Sequence, residues 1–149
     1  MTRSVPRRPA SPLAGLAALA IALVACSSGV STTPSPSGAQ PPADCARVDA
    51  EGVITLSVDN LEFSAPCMVA TAGEAFTIRF TNNEEMPHNV AAYRDSTKAN
   101  EIYRGEIITG PDQSLDYPIE ALDAGTYYFD CTVHPGDMNG ALFVVAAGS

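Results

Sequence analysis

Four residues stand out by type and spacing. His88 and His134 are the only histidines of the chain, and each sits beside a proline, in Pro87-His88-Asn89 and His134-Pro135-Gly136. Cys131, His134 and Met138 follow one another as Cys-x2-His-x3-Met. At that spacing, within one loop, a thiolate, an imidazole and a thioether can turn toward one point. A histidine from a strand distant in sequence can meet them there. Soft sulfur together with imidazole suits copper, and a trigonal His2Cys plane with a long axial Met is the pattern of blue-copper electron-transfer sites. Zinc takes cysteine and histidine as well, but methionine is foreign to its usual ligand sets. Met68 and Met86 are competing thioethers, and Met138 ranks above both. Taken singly, each residue has an ordinary structural reading: a surface or core histidine, a packing methionine. Their conjunction points to a metal.

Strands must position these groups. Val53–Val58 and Ala75–Thr81 alternate apolar and polar residues, with Phe76, Ile78 and Phe80 on one face of the second and Thr77, Arg79 and Thr81 on the other. Asn89–Tyr93, Ser114–Ile119, Thr126–Cys131 and Ala141–Val145 are further strand candidates. Turn residues punctuate them at Asp59-Asn60, Ala72-Gly73-Glu74, Asn82-Asn83, Gly110-Pro111-Asp112, Ala124-Gly125 and Pro135-Gly136. Several short strands at such spacing predict an all-β sandwich or barrel. No segment keeps a 3.6-residue apolar period over three turns. Arg94–Asn100 reads as a loop, and Glu101–Thr109 as a short strand or an extended edge segment. His88 opens one strand, while Cys131 closes another and leads into the loop of His134 and Met138.

The cysteines are Cys26, Cys45, Cys67 and Cys131. Residues 1–25 read as an export signal: Arg3, Arg7 and Arg8 form a positive start, and the uncharged run Leu13–Ala25 falls short of the about 20 residues of a bilayer span. The run ends Leu23-Val24-Ala25-Cys26, which resembles the bacterial lipoprotein signal-peptide box and implies lipidation of Cys26. Residues 26–43, rich in Ser, Thr and Pro, offer no hydrophobic face and read as a tether. Residues 44–149 are left as the folded domain. With Cys26 set aside, an exported setting and three remaining cysteines leave one thiol unpaired. Cys45 and Cys67 bracket the first strands without ligand types nearby, so their pairing is favoured. The alternative puts Cys131 into a bridge and leaves Cys45 or Cys67 spare.

Hydrophobic residues make up 46% of the 149 and charged ones 17%, enough for a packed core. The formal charge is −9, and beyond the leader the only cations, Arg47, Arg79, Arg94, Lys98 and Arg104, face 17 acidic residues. Such a balance excludes phosphate-backbone binding, which needs clustered Lys and Arg. It also leaves no basic amphipathic segment for an anionic membrane.

Pro87-His88-Asn89-Val90 and the stretch from Tyr127-Tyr128-Phe129-Asp130-Cys131 through His134-Pro135-Gly136-Asp137-Met138 to Val145 resemble the cupredoxins, closest to their plastocyanin-like and oxidase-subunit-II-like branch. The likeness covers about residues 53–146. It implies a Greek-key β-sandwich with one mononuclear type 1 copper ion, His88, Cys131 and His134 as strong ligands and Met138 as the axial one. It also implies that Asn89 ties the two ligand segments together by hydrogen bonding. A single loop cysteine speaks against a two-copper site. The expected function is that of a lipid-anchored, extracytoplasmic, non-enzymatic carrier of single electrons, since four ligands leave no open position for a reactant. Its expected partners are redox proteins with a basic docking patch. Two rivals are a copper delivery or storage module and a metal-free adhesion or receptor sandwich.

Overall fold

A computed structural model describes residues 40–148. The export signal, most of the tether and the lipidation site at Cys26 lie outside the described residues. Within them the chain forms strands and turns, with no helix. The strands are β1 (Ala46–Arg47), β2 (Val53–Asp59), β3 (Glu62–Phe63), β4 (Cys67–Thr71), β5 (Phe76–Asn82), β6 (Ala91–Tyr93), β7 (Glu101–Arg104), β8 (Gln113–Ile119), β9 (Gly125–Asp130) and β10 (Asn139–Val145).

Two sheets result. The first runs β1-β4-β10-β9-β6-β7 and the second β3-β2-β5-β8. Alternation decides which side chains meet between them. In the second sheet, β2 buries Ile54, Leu56 and Val58, and β5 buries Phe76, Ile78 and Phe80. From the first sheet Met68, Phe129, Leu142 and Val144 enter the same core. The Phe63 ring joins the layers, 5.3 Å from Phe129 and 6.2 Å from Phe80 between centroids. Both tilts avoid face-to-face overlap, as the ring quadrupoles favour.

β4 departs from the alternating pattern because both its faces are covered. Met68 and Ala70 look into the main core, while Cys67 and Val69 join Cys45 in a second, smaller cluster lined by Ala141, Phe143 and Val145. A strand buried on both sides reads as a continuous apolar run. It therefore carries no two-residue signal, and periodicity predicts no strand there. Parallel partners flank it: β1 pairs with it through Ala46↔Met68, and β10 through Ala141↔Cys67 to Val145↔Thr71. A Cys45–Cys67 disulfide staples the chain to this strand.

The uncertain stretch after Arg94 resolves into a loop, the short β7, and a return past His88. There His88 and Ile108 exchange backbone hydrogen bonds of 3.0 and 2.9 Å. This bridge and the β9–β10 connection lie at one end of the sandwich, and the candidate ligands gather there.

Candidate metal centre

His88 is fully buried, one turn of chain before β6. Cys131 follows the last residue of β9 and is also fully buried, as a free thiol. His134 and Met138 lie on the loop that returns to β10. Backbone bonds give that loop its shape. The His134 carbonyl accepts from the N–H groups of Asp137 (3.2 Å) and Met138 (3.0 Å), and the Cys131 N–H donates to the Met138 carbonyl at 2.9 Å. Gly140 lets the loop rejoin the sheet: a Cβ there would run into the Pro66 carbonyl oxygen and the Phe129 ring.

Three ligand atoms converge. His88 Nδ1 is 3.8 Å from Cys131 Sγ and 3.2 Å from His134 Nδ1. Within 4.8 Å of one another lie one ligand atom each from His88, Cys131 and His134. Bonds of about 2.0 Å to nitrogen and about 2.3 Å to sulfur are ordinary for a first-row ion. Each of the two closer separations is shorter than two such bonds end to end, so one ion can reach all three atoms. Met138 is fully buried in the same core cluster as Cys131, whereas Met86 is 40% exposed. Met68 is buried on β4, beside β1 and β10. The other grouping of metal-ligating types, Asp44 with Cys45 and Cys67, has its sulfurs consumed by the disulfide.

Asn89 bridges the two ligand segments. Its Oδ1 accepts from the backbone N–H (2.9 Å) and hydroxyl (3.0 Å) of Thr132, next to Cys131. Its Nδ2 donates to the Gly105 carbonyl at 2.9 Å. Being fully buried, Asn89 makes these bonds without competition from water.

Glu84 escaped the sequence reading. Its Oε2 lies 2.6 Å from His88 Nε2, and its Oε1 accepts the Leu61 N–H at 3.0 Å. Burial by itself would raise the Glu84 carboxyl. The N–H groups of Leu61 and Asn60 and the His88 ring outweigh that, and the group lies below the ordinary carboxylate range. An ionised carboxylate only accepts, so His88 Nε2 carries the proton and Nδ1 keeps its lone pair for a metal. Burial holds the His88 imidazole below its usual pKa; Glu84 opposes this and His134 adds to it. The signal available beforehand was an acid four residues ahead of the histidine, in Asn82-Asn83-Glu84-Glu85-Met86-Pro87-His88. Asn82, fully buried, folds that segment back by donating to the Met86 and Ile108 carbonyls at 2.7 and 3.1 Å and accepting the Glu84 N–H at 2.8 Å.

Comparisons with known proteins agree with this geometry. The fold is shared with auracyanin A, a "blue" copper protein from the green thermophilic photosynthetic bacterium Chloroflexus aurantiacus. The two are 22% identical with a TM-score of 0.56, over 62% of this chain and 98% of that one. Amicyanin from Paracoccus versutus is 35% identical over 94 residues, which is 63% of this chain and 66% of that protein. Amicyanin from Paracoccus denitrificans is 28% identical over 88 residues, 58% of this chain and 61% of that one. The chain thus spans a little under two thirds of the length of either amicyanin. The model of copper binding proteins of the plastocyanin/azurin family matches residues 50–145, well over half of the chain and inclusive of all the residues gathered at this site. This chain belongs to the plastocyanin/azurin family of copper-binding proteins.

Proposed function

We propose that the protein is a lipid-anchored, extracytoplasmic carrier of single electrons, with one copper ion held by His88, Cys131 and His134 and more weakly by Met138. The observation that carries this reading is the convergence of two imidazole nitrogens and a buried thiol on one point. When bound, copper supplies the one-electron couple. The chain's residues do the rest. Glu84 and Asn89 hold the ligand segments in place, so the site need not rearrange between oxidation states. Cys131 links the centre to β9. His134, only partly buried, is the ligand through which electrons reach the surface.

The surroundings of His134 support docking at this end. Met86, Ile107 and Val133 are exposed large hydrophobics, each within two residues of His88, of its partner Ile108, or of His134. Exposed Glu85, Glu106 and Asp137 stand next to Met86, Ile107 and Met138 in the chain. An apolar contact fringed by acids suits a redox partner with a basic rim, which the acid excess beyond the leader would steer into encounter at low salt. The Cys45–Cys67 disulfide fits an oxidising compartment, and Cys26 after its apolar leader fits lipid attachment there.

Cu(II) added to the purified protein tests the proposal. We expect intense visible absorption from a Cu(II)–thiolate bond and a reversible one-electron wave in voltammetry, with Cys131→Ser abolishing the absorption. Tight Cu(I) binding without a stable Cu(II) form would overturn the carrier reading in favour of copper delivery or storage. Unchanged copper content in Cys131→Ser would overturn the metal site itself.

A further inference from the structure

The Asn60-Leu61 pair joins β2 to β3 by a two-residue hairpin, closed by the Asp59↔Glu62 pair. Both residues have positive φ, 53° and 60°. A hairpin turn of this kind favours Asn followed by Gly, because left-handed backbone is costly for a bulky side chain. Leu61 stands where glycine would be free of that cost. Its side chain packs against the main core, and its N–H points at the Glu84 carboxylate. The turn is thereby pinned to the core in the orientation that presents its N–H to Glu84. The Glu84 side chain is 14% exposed, and its other oxygen meets a fully buried His88. Strain in the backbone, a carboxylate largely shielded from water and a metal-ligand ring thus form one contiguous chain of contacts.

We propose that Glu84, held by the Asn60-Leu61 turn, is a positioning residue that fixes His88 with its proton on Nε2 and lowers the reduction potential by placing a permanent negative charge behind that ligand. The part of the inference about the potential rests on the copper reading above; the part about the ring does not. A carboxylate partner makes the imidazole a better donor, as outer partners of metal-bound histidines do. A nearby negative charge stabilises Cu(II) over Cu(I), and little intervening solvent screens it.

Three variants test it: Glu84→Gln, which keeps an acceptor but removes the charge, Glu84→Ala, which removes both, and Glu85→Gln, which removes an exposed neighbouring charge. In the copper-free protein, nitrogen NMR at a pH where both imidazoles are neutral reads the His88 tautomer. We expect the Nε2–H form in the wild type and in Glu84→Gln, and a mixture of tautomers in Glu84→Ala. In the copper-loaded protein, Glu84→Gln is expected to lower the preference for Cu(II) over Cu(I) about tenfold, an upward shift of about 59 mV, and Glu85→Gln to shift it far less. A merely structural role would alter thermal stability while leaving the potential of Glu84→Gln where it was, and that result overturns the proposal. So does a wild-type tautomer with the proton on Nδ1. If the wild type forms no Cu(II)–thiolate absorption, the carrier reading fails on its own, and the tautomer still decides the role of Glu84.

Discussion

His88 and His134 are chemically the same side chain, with Nδ1 atoms 3.2 Å apart, in opposite surroundings. His88 has no solvent contact, bonds a carboxylate through Nε2, and exchanges two backbone bonds with Ile108. His134 is partly exposed, and the turn that carries it is shaped by loop backbone bonds and by the Asn139 amide, which donates to the Pro135 and Gly136 carbonyls. The sheet repeats the difference. On the His134 side, β10 lies beside β4, which the Cys45–Cys67 disulfide staples; on the His88 side, β6 and β7 carry no covalent restraint. A histidine ligand can thus be held from behind by a polar partner or shaped from beside by a short loop. The first arrangement favours constancy of the centre and the second favours access to it.

The comparison can be broken most sharply by removing the rings in turn. His134→Gly should open a solvent-facing gap that added imidazole refills, restoring the visible band of the Cu(II) protein. His88→Gly should not be rescued, because the vacated space is closed to solvent and leaves Glu84 Oε2 facing it without its His88 partner. Equal rescue of both, followed by titration of the absorbance with imidazole, would erase the distinction. Next in size is the staple. Replacing Cys45 and Cys67 together by Ala should cost about 3 kcal/mol in denaturant unfolding. Amide exchange should then quicken in the 131–139 loop more than at the His88–Ile108 bridge. The smallest effect concerns Met138, whose N–H is bonded to the His134 carbonyl. Met138→Leu should keep copper in place and raise the potential, since loss of a weak sulfur donor disfavours Cu(II) more than Cu(I). Metal analysis and voltammetry on the same sample read both.

The candidate ligands were legible because their chemistry is carried by residue types that are scarce in this chain: two histidines, one odd cysteine, and a methionine a few residues on. β2, β5 and β8 were legible because each has one face in the core and the other largely open, which writes alternation into the sequence, whereas β9 and β10 were legible as aromatic and β-branched runs set between turn residues. β4 was not, since Cys67, Met68, Val69 and Ala70 are buried on both sides. Two-residue strands such as β1 and β3 are too short to hold any period. Glu84 was hidden for a different reason. In a chain with 17 acids it reads as one more, and its role arises from a turn at Asn60-Leu61 that lies next to it only after β2 and β3 have paired. Local pattern carries no record of such an encounter.

The parallel pairing of β4 with β10, from Ala141↔Cys67 to Val145↔Thr71, joins segments from opposite ends of the domain. Non-local pairing of this sort is slow to nucleate. A polypeptide emerging amino end first would expose one imidazole early, yet its sulfur and second imidazole only near the finish. The pocket is consequently among the last features to mature, and an ion arriving sooner would find His88 without the other groups of the site.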